Sequence, residues 1–150
     1  MSATTDNTGY KKVFVSLDGS PAQDKVFSRA LAQASLHGAE LYIGHVIDST
    51  ALETKGVYPV ELIPNLRKSF LQSIDPLVKE AEADPNIPHV QVAVQPGRIR
   101  ETLMEEMIAT FEPDLIVCGA RGLSAIKYAL LGSVSTFLLR NATCDVLVIK

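Results

Sequence analysis

Val13-Phe14-Val15-Ser16-Leu17-Asp18-Gly19-Ser20-Pro21-Ala22-Gln23 is the stretch on which the fold turns. Its first five residues are a short, mostly apolar run of β-branched and aromatic side chains, which predicts a buried strand. Asp18-Gly19 ends that strand. Ser20 as N-cap, Pro21 at the first helical position and Gln23 three residues after the cap make a capping-box pattern. The helix that follows sets Val26, Phe27, Ala30, Leu31 and Ala34 on one stripe and closes at His37-Gly38, with a glycine past its end. About two residues separate strand from helix, the spacing of an α/β unit.

Outward from this unit the pattern recurs. Leu41 to Ile47 predicts a second strand, and Asp48 to Pro64 a loop carrying Gly56, Pro59 and Pro64. A second helix is expected over Leu66 to Ala83, with Phe70, Leu71, Ile74, Leu77, Val78 and Ala81 at helical spacing and Pro76 as a kink point. Val90 to Val94 predicts a third strand, Pro96-Gly97 a turn, and Ile99 to Phe111 a helix facing Leu103, Met104, Met107 and Ile108 inward. Leu115-Ile116-Val117-Cys118 is a fully apolar fourth strand, Ser133 to Arg140 a short helix, and Asp145 to Lys150 a last strand. Five strands alternating with four helices imply an α/β doubly wound parallel sheet with helices on both faces. Strands apolar throughout, rather than alternating, agree with burial on both sides.

Composition narrows the function classes. The chain has 150 residues, 47% hydrophobic and 21% charged, with a net charge of −3. That is one domain, expected over residues 10–150 behind a Ser/Thr/Asn-rich tail, Met1 to Gly9, which has neither the basic start nor the apolar stretch of a signal peptide. A cytoplasmic protein is the expectation. No apolar run approaches the roughly 20 residues of a membrane span. The mild acidity argues against a nucleic-acid binder, which needs a concentrated basic face. Cys118 and Cys144 make no disulfide scaffold, and Cys118, inside an apolar run, reads as a small buried hydrophobe.

In open α/β sheets a ligand lies beyond the carboxyl ends of the strands, where strand order reverses. In the order 3-2-1-4-5 that point falls between the first and fourth strands. These are the strands that end in Asp18-Gly19-Ser20 and Gly119-Ala120-Arg121-Gly122. The fourth-strand segment reads Gly119-x2-Gly122-x9-Gly132-Ser133, a spacing that arises by chance in about 0.5% of chains this long. It follows an apolar strand and opens a helix, so Gly132-Ser133-Val134-Ser135 would offer free N–H groups, the positive end of a helix dipole and two hydroxyls to an anion. It is neither a Walker loop nor the dinucleotide Gly-x-Gly-x-x-Gly.

The combination resembles the universal stress protein family. The matching residues are Val15-Ser16-Leu17-Asp18-Gly19-Ser20, the second-strand His45-Val46-Ile47-Asp48, the Gly119-x2-Gly122-x9-Gly132-Ser133 signature with Val134 and Ser135, and the terminal Asp145-Val146-Leu147-Val148-Ile149. The resemblance runs from Tyr10 to Lys150, and the glycine signature is that of the family's ATP-binding branch, whose fold is Rossmann-like. It implies that Asp18 and the backbone around Val46 sit near adenine and ribose. Gly119, Gly122, Gly132, Ser133, Val134 and Ser135 would hold ribose and phosphates, with magnesium accompanying a triphosphate. Arg121 stands where the family often has His or Arg, as either a phosphate partner or a solvated loop cation. The family often has Gly-x-Pro after its third strand, whereas here Gly97-Arg98-Ile99 follows Pro96.

The remaining polar residues carry less. His37 ends a helix, where an imidazolium complements the dipole. His45 lies within a strand and His89 just before one, without ligand spacing, and both read as structural. Glu101, Glu105 and Glu106 form a solvated helix face. No Ser-His-Asp arrangement and no carboxylate pair make a catalytic case, and slow ATP hydrolysis would be a by-product of binding. In the order 3-2-1-4-5 the last strand is an edge, yet Val146 to Ile149 are all apolar, which invites pairing with a second copy across a two-fold axis. The family resemblance implies such a homodimer. The expectation is therefore an ATP-binding regulatory homodimer, the alternative a nucleotide-independent dimeric stress scaffold acting through protein contacts.

Overall fold

The computed structural model describes residues 9–50, 61–121 and 131–150. Residues 1–8, Gly56, Pro59 and Gly122 therefore lie outside the described residues. The elements are β1 (Lys12–Ser16), α1 (Gln23–His37), β2 (Glu40–Asp48), α2 (Leu62–Ala83) and β3 (Val90–Gly97). They continue with α3, which runs through Ile99–Glu101, Thr102–Ile108 and Ala109–Phe111, then β4 (Leu115–Gly119), α4 (Ser133–Asn141) and β5 (Asp145–Ile149). The five strands are all parallel, in the order β3-β2-β1-β4-β5. This is the doubly wound sheet that the sequence predicts.

Alternation along each strand divides the core between two faces. Val13, Val15, Leu41 and Ile43 pack with Val26, Phe27 and Ala30 of α1 and Phe70 and Ile74 of α2. Phe14, Tyr42 and Ile116 pack on the other face with Leu103 and Met107 of α3 and Leu138 of α4. Fully burying a side chain such as Phe14 or Ile116 stabilises the fold by about 1.5–3 kcal/mol relative to leaving it in water. Gly44 in mid-β2 makes room for this packing, since a Cβ there would lie 2.6 Å from Phe14 Cζ.

Four local expectations are corrected. The capping box does not form: α1 begins at Gln23 behind an Ala22 cap with no side-chain hydrogen bond. The Asp18 and Gln23 side chains instead bind N–H groups of the preceding turn. Pro96-Gly97 is strand rather than turn, paired with Ile47 and Asp48. β3 is an edge, where a proline's missing N–H disturbs no second ladder. α2 starts at Leu62, four residues early, because Pro64 falls in the first helical turn, where no intrahelical N–H is lost; Pro76 then sits inside the same uninterrupted helix. The middle of α3, Thr102–Ile108, is wound as a π-helix, which still buries Leu103, Met107 and Ile108 and half-buries Met104.

At the far edge, β5 pairs with β4 alone among the described residues, and Val146 to Ile149 are half-buried. Tyr10 Oη donates to Asp145 at 2.7 Å, and Lys25 Nζ donates to the Lys150 carbonyl at 2.9 Å, so both ends of this edge are tied to the body of the domain. Cys118 and Cys144 are free thiols.

Candidate functional site

Where β1 runs out, Leu17 keeps the sheet's hydrogen bonding by donating to Gly44 at 2.9 Å. The chain then turns through Gly19 at φ +76, a conformation that glycine adopts without penalty. Two side chains lock the turn. Asp18 Oδ1 accepts the Ser20 N–H and Gln23 Oε1 accepts the Gly19 N–H, both at 2.9 Å. Asp18 itself stays exposed, so its carboxylate is held at the rim rather than spent in the core.

Across the switch point, Gly119 ends β4 beside α1, where a Cβ would stand 3.3 Å from Val26 Cγ2. The chain returns at Gly132 to open α4. The Gly132 N–H donates to the Ala120 carbonyl at 2.6 Å, and the helical ladder starts with the Thr136 N–H on the Gly132 carbonyl. The first-turn N–H groups of Ser133, Val134 and Ser135 precede that ladder and are the ones a helix end presents to an anion. Of the two hydroxyls expected as ligand donors, Ser135 is buried and donates to the Ala120 and Gly132 carbonyls, while Ser133 is exposed.

These two ends and the end of β2 enclose a cavity of about 910 Å³. Asp18, Val46, Gly119, Arg121, Gly132, Ser133, Val134 and Ser135 all line it. Of the site residues expected from the sequence, Gly122 lies outside the described residues. Arg98 is not among the lining residues; it is exposed at the N-terminus of α3, and its carbonyl accepts the Thr102 N–H. The adjoining Gly97 (φ +151) is demanded by packing, because a Cβ there would collide with Thr102 Oγ1.

The cavity also has a wall that sequence reasoning missed. Leu66, Ser69, Phe70 and Ser73 of α2 line it, together with His45, whose ring stacks on Phe70 with centroids 3.8 Å apart and planes 6° apart. His45 Nδ1 lies 2.7 Å from the Leu17 carbonyl. Burial pushes the His45 pKa down, against the opposing influence of that carbonyl and of Asp18. The signal available was position: His45 adjoins Val46 on β2, and Phe70 begins the buried stripe of α2. Cys118 forms part of the floor, its thiol pushed up to about 12 by burial and so held as an inert SH. Among the described lining residues only Asp18, Asp48 and Arg121 carry charge.

The cleft is apolar along Val46, Leu66 and Phe70 and polar toward the helix end, so it suits a ligand with a flat ring at one end and an anionic group at the other. Comparison with known proteins agrees with the architecture. A universal stress protein from Lactobacillus plantarum superposes with a TM-score of 0.82 at 24% identity, over 96% of this chain and 100% of that one. A universal stress protein solved in complex with cAMP superposes at 0.63 with 26% identity, over 95% and 98% of the two chains. A Staphylococcus aureus protein named for the same family is 30% identical over 141 residues, 94% of this chain and 84% of its own. The family model described as "Universal stress protein family" matches residues 9–150, and the chain belongs to that family.

Proposed function

We propose that this chain is an ATP-binding regulatory protein of the cytoplasm, working as a homodimer whose surface or choice of partner changes when nucleotide binds. The observation that carries the reading is the convergence of Asp18, Val46 and the first turn of α4 on one cavity at the switch point of the sheet. In this reading the base lies against the Val46 end, Asp18 reaches ribose, and the N–H groups of Ser133 to Ser135 with the Ser133 hydroxyl take the phosphates. Arg121, exposed at the rim, adds a positive charge beside them. The relative solved with cAMP holds an adenine nucleotide, which supports the class of ligand.

Magnesium would come with a triphosphate and neutralise its oxygens. Among the described residues no group of three or more His, Cys, Asp or Glu side chains is placed to hold a metal. No residue is assigned to hydrolysis.

The dimer would form by antiparallel pairing of β5 through Val146 to Ile149, which would cover an apolar edge with free backbone groups. Native mass spectrometry of the freshly purified protein tests both parts at once, with two chains and up to one nucleotide per chain expected. Calorimetry with ATP and magnesium completes the test, with Gly132→Val expected to abolish binding. A dimer that neither carries nor binds nucleotide would instead identify the nucleotide-independent scaffold.

A further inference from the structure

We propose that His45 is a specificity-determining residue of the cleft, its Nε2 lone pair accepting a hydrogen bond from a donor group of the bound nucleoside, an exocyclic amine or a ribose hydroxyl. The inference rests on the nucleotide reading above.

Three observations carry it. The Leu17 carbonyl can only accept, so the 2.7 Å contact puts the proton on His45 Nδ1. A neutral imidazole carries one N–H, which leaves Nε2 as an acceptor. That nitrogen has no hydrogen-bond partner among the described residues, yet none of their buried side-chain polar atoms lacks one, so Nε2 opens onto the cavity that His45 lines. Phe70 stacked on the ring fixes its plane, and the Leu17 contact fixes its rotation. The result is a single acceptor, aimed and immobile. A keto or phosphate oxygen placed there would set lone pair against lone pair, so the site discriminates by hydrogen-bond polarity rather than size.

The neutral state of the ring is part of the device. The titratable and charged groups that line the cavity with it are Asp18 from the β1–α1 turn, Asp48 on β2 itself, Cys118 on β4 and Arg121 beyond β4, and Arg67 of α2 lies behind β3. Arg67 donates to the carbonyl of Val94, the residue paired with His45 on β3. The residue that α1 contributes, Gln23, is uncharged. Burial outweighs the two influences that favour protonation, the Leu17 carbonyl and Asp18.

His45→Asn isolates the acceptor, because an asparagine amide can replace Nδ1–H toward Leu17 while leaving nothing at the Nε2 position. Binding of ATP, inosine triphosphate and 2′-deoxy-ATP is measured by calorimetry for both proteins at about pH 7.5. The wild type is expected to disfavour one analogue about tenfold, and His45→Asn to lose about tenfold for ATP together with that preference. Loss of the inosine preference identifies the amine, and loss of the deoxy preference the hydroxyl. Unchanged affinity and preference in His45→Asn overturns this inference alone. No ATP binding by the wild type overturns the nucleotide reading beneath it.

If His45→Asn does not fold, adenosine binding by the wild type decides, followed from about pH 7.5 down through the His45 ring's own NMR midpoint, since adenosine has no phosphate to titrate. Affinity falling with acid supports an acceptor that protonation destroys. Affinity that stays constant or rises while the ring protonates overturns it.

Discussion

Ser135 Oγ donates to the Ala120 carbonyl at 3.0 Å, so the first turn of α4 is fastened to the end of β4 by a hydroxyl whose one proton is no longer available to an anion. The neighbouring serine is free of that duty. Ser135→Ala is expected to cost about 1 kcal/mol of stability, the ordinary worth of one hydrogen bond. It does not reach the full penalty of an orphaned carbonyl, because the Gly132 N–H still serves Ala120. Ser133→Ala should leave the stability within about 0.5 kcal/mol of wild type and weaken ATP binding instead. Urea unfolding and calorimetry on the two variants separate fastening from binding.

Gly19 and Gly44 are both fixed by the structure, for opposite reasons. At Gly19 a Cβ would meet nothing within 4 Å, but φ is +76, so Gly19→Ala costs only the left-handed backbone, about 1 kcal/mol. At Gly44 the backbone is ordinary strand, yet a Cβ would lie 2.6 Å from Phe14 Cζ and 3.0 Å from Met107 Sδ. Repacking around it should cost about 2 kcal/mol or more. Thermal melts are expected to rank Gly44→Ala below Gly19→Ala.

The sheet was legible in the sequence because the central strands are apolar on both faces and each helix repeats on a stripe; Val13 to Leu17 and Leu115 to Cys118 could be little else. The details that depend on a choice between neighbours were not. Ser20 and Gln23 have the residue types of a capping box, but Asp18 lies two residues before Ser20 and wins its N–H, after which Gln23 takes that of Gly19. Pro96-Gly97 reads as a turn until β2 is seen to extend alongside it. The signature Gly119, Gly132 and Ser133 pointed to the α4 side of the cleft through spacing alone. The opposite wall did not announce itself, because Phe70 belongs to the same stripe as the core residue Ile74, and periodicity does not say which member of a stripe reaches past the sheet's edge.

Cys118 should make the protein alkali-sensitive. Its thiol is pushed up from 9.0 to about 12, by burial first and by the charge of Asp18 second. In the unfolded chain it ionises near 9.0, while in the native protein it keeps its proton, so stability from this group is full below pH 9 and is lost as pH rises toward 12. The slope is at most about 1.4 kcal/mol per pH unit. Cys118→Ala is expected to flatten that slope, whatever it does to the midpoint at neutral pH. Thiol titration of the native protein at mild alkalinity should label one cysteine, the half-buried Cys144, and both after unfolding.

His45 predicts the opposite sensitivity, at the acid end. Its folded pKa is lowered from 6.5, chiefly by burial, so below that value the unfolded chain takes up a proton that the native ring resists. Stability from this group is therefore present above pH 6.5 and is drained as pH falls through 6.5 toward the folded value. His45→Asn has no such proton to take up, so the stability gap between wild type and variant should narrow steadily as the medium is acidified. Denaturation curves of both proteins at successive pH values measure the gap. NMR titration of the His45 ring fixes its cause independently: a midpoint below 6.5, with the Nδ1 proton retained throughout the neutral range, is the expected result. A midpoint at or above 6.5 would show that the Leu17 carbonyl and Asp18 outweigh burial, and the acid loss of stability would then have to come from elsewhere in the chain.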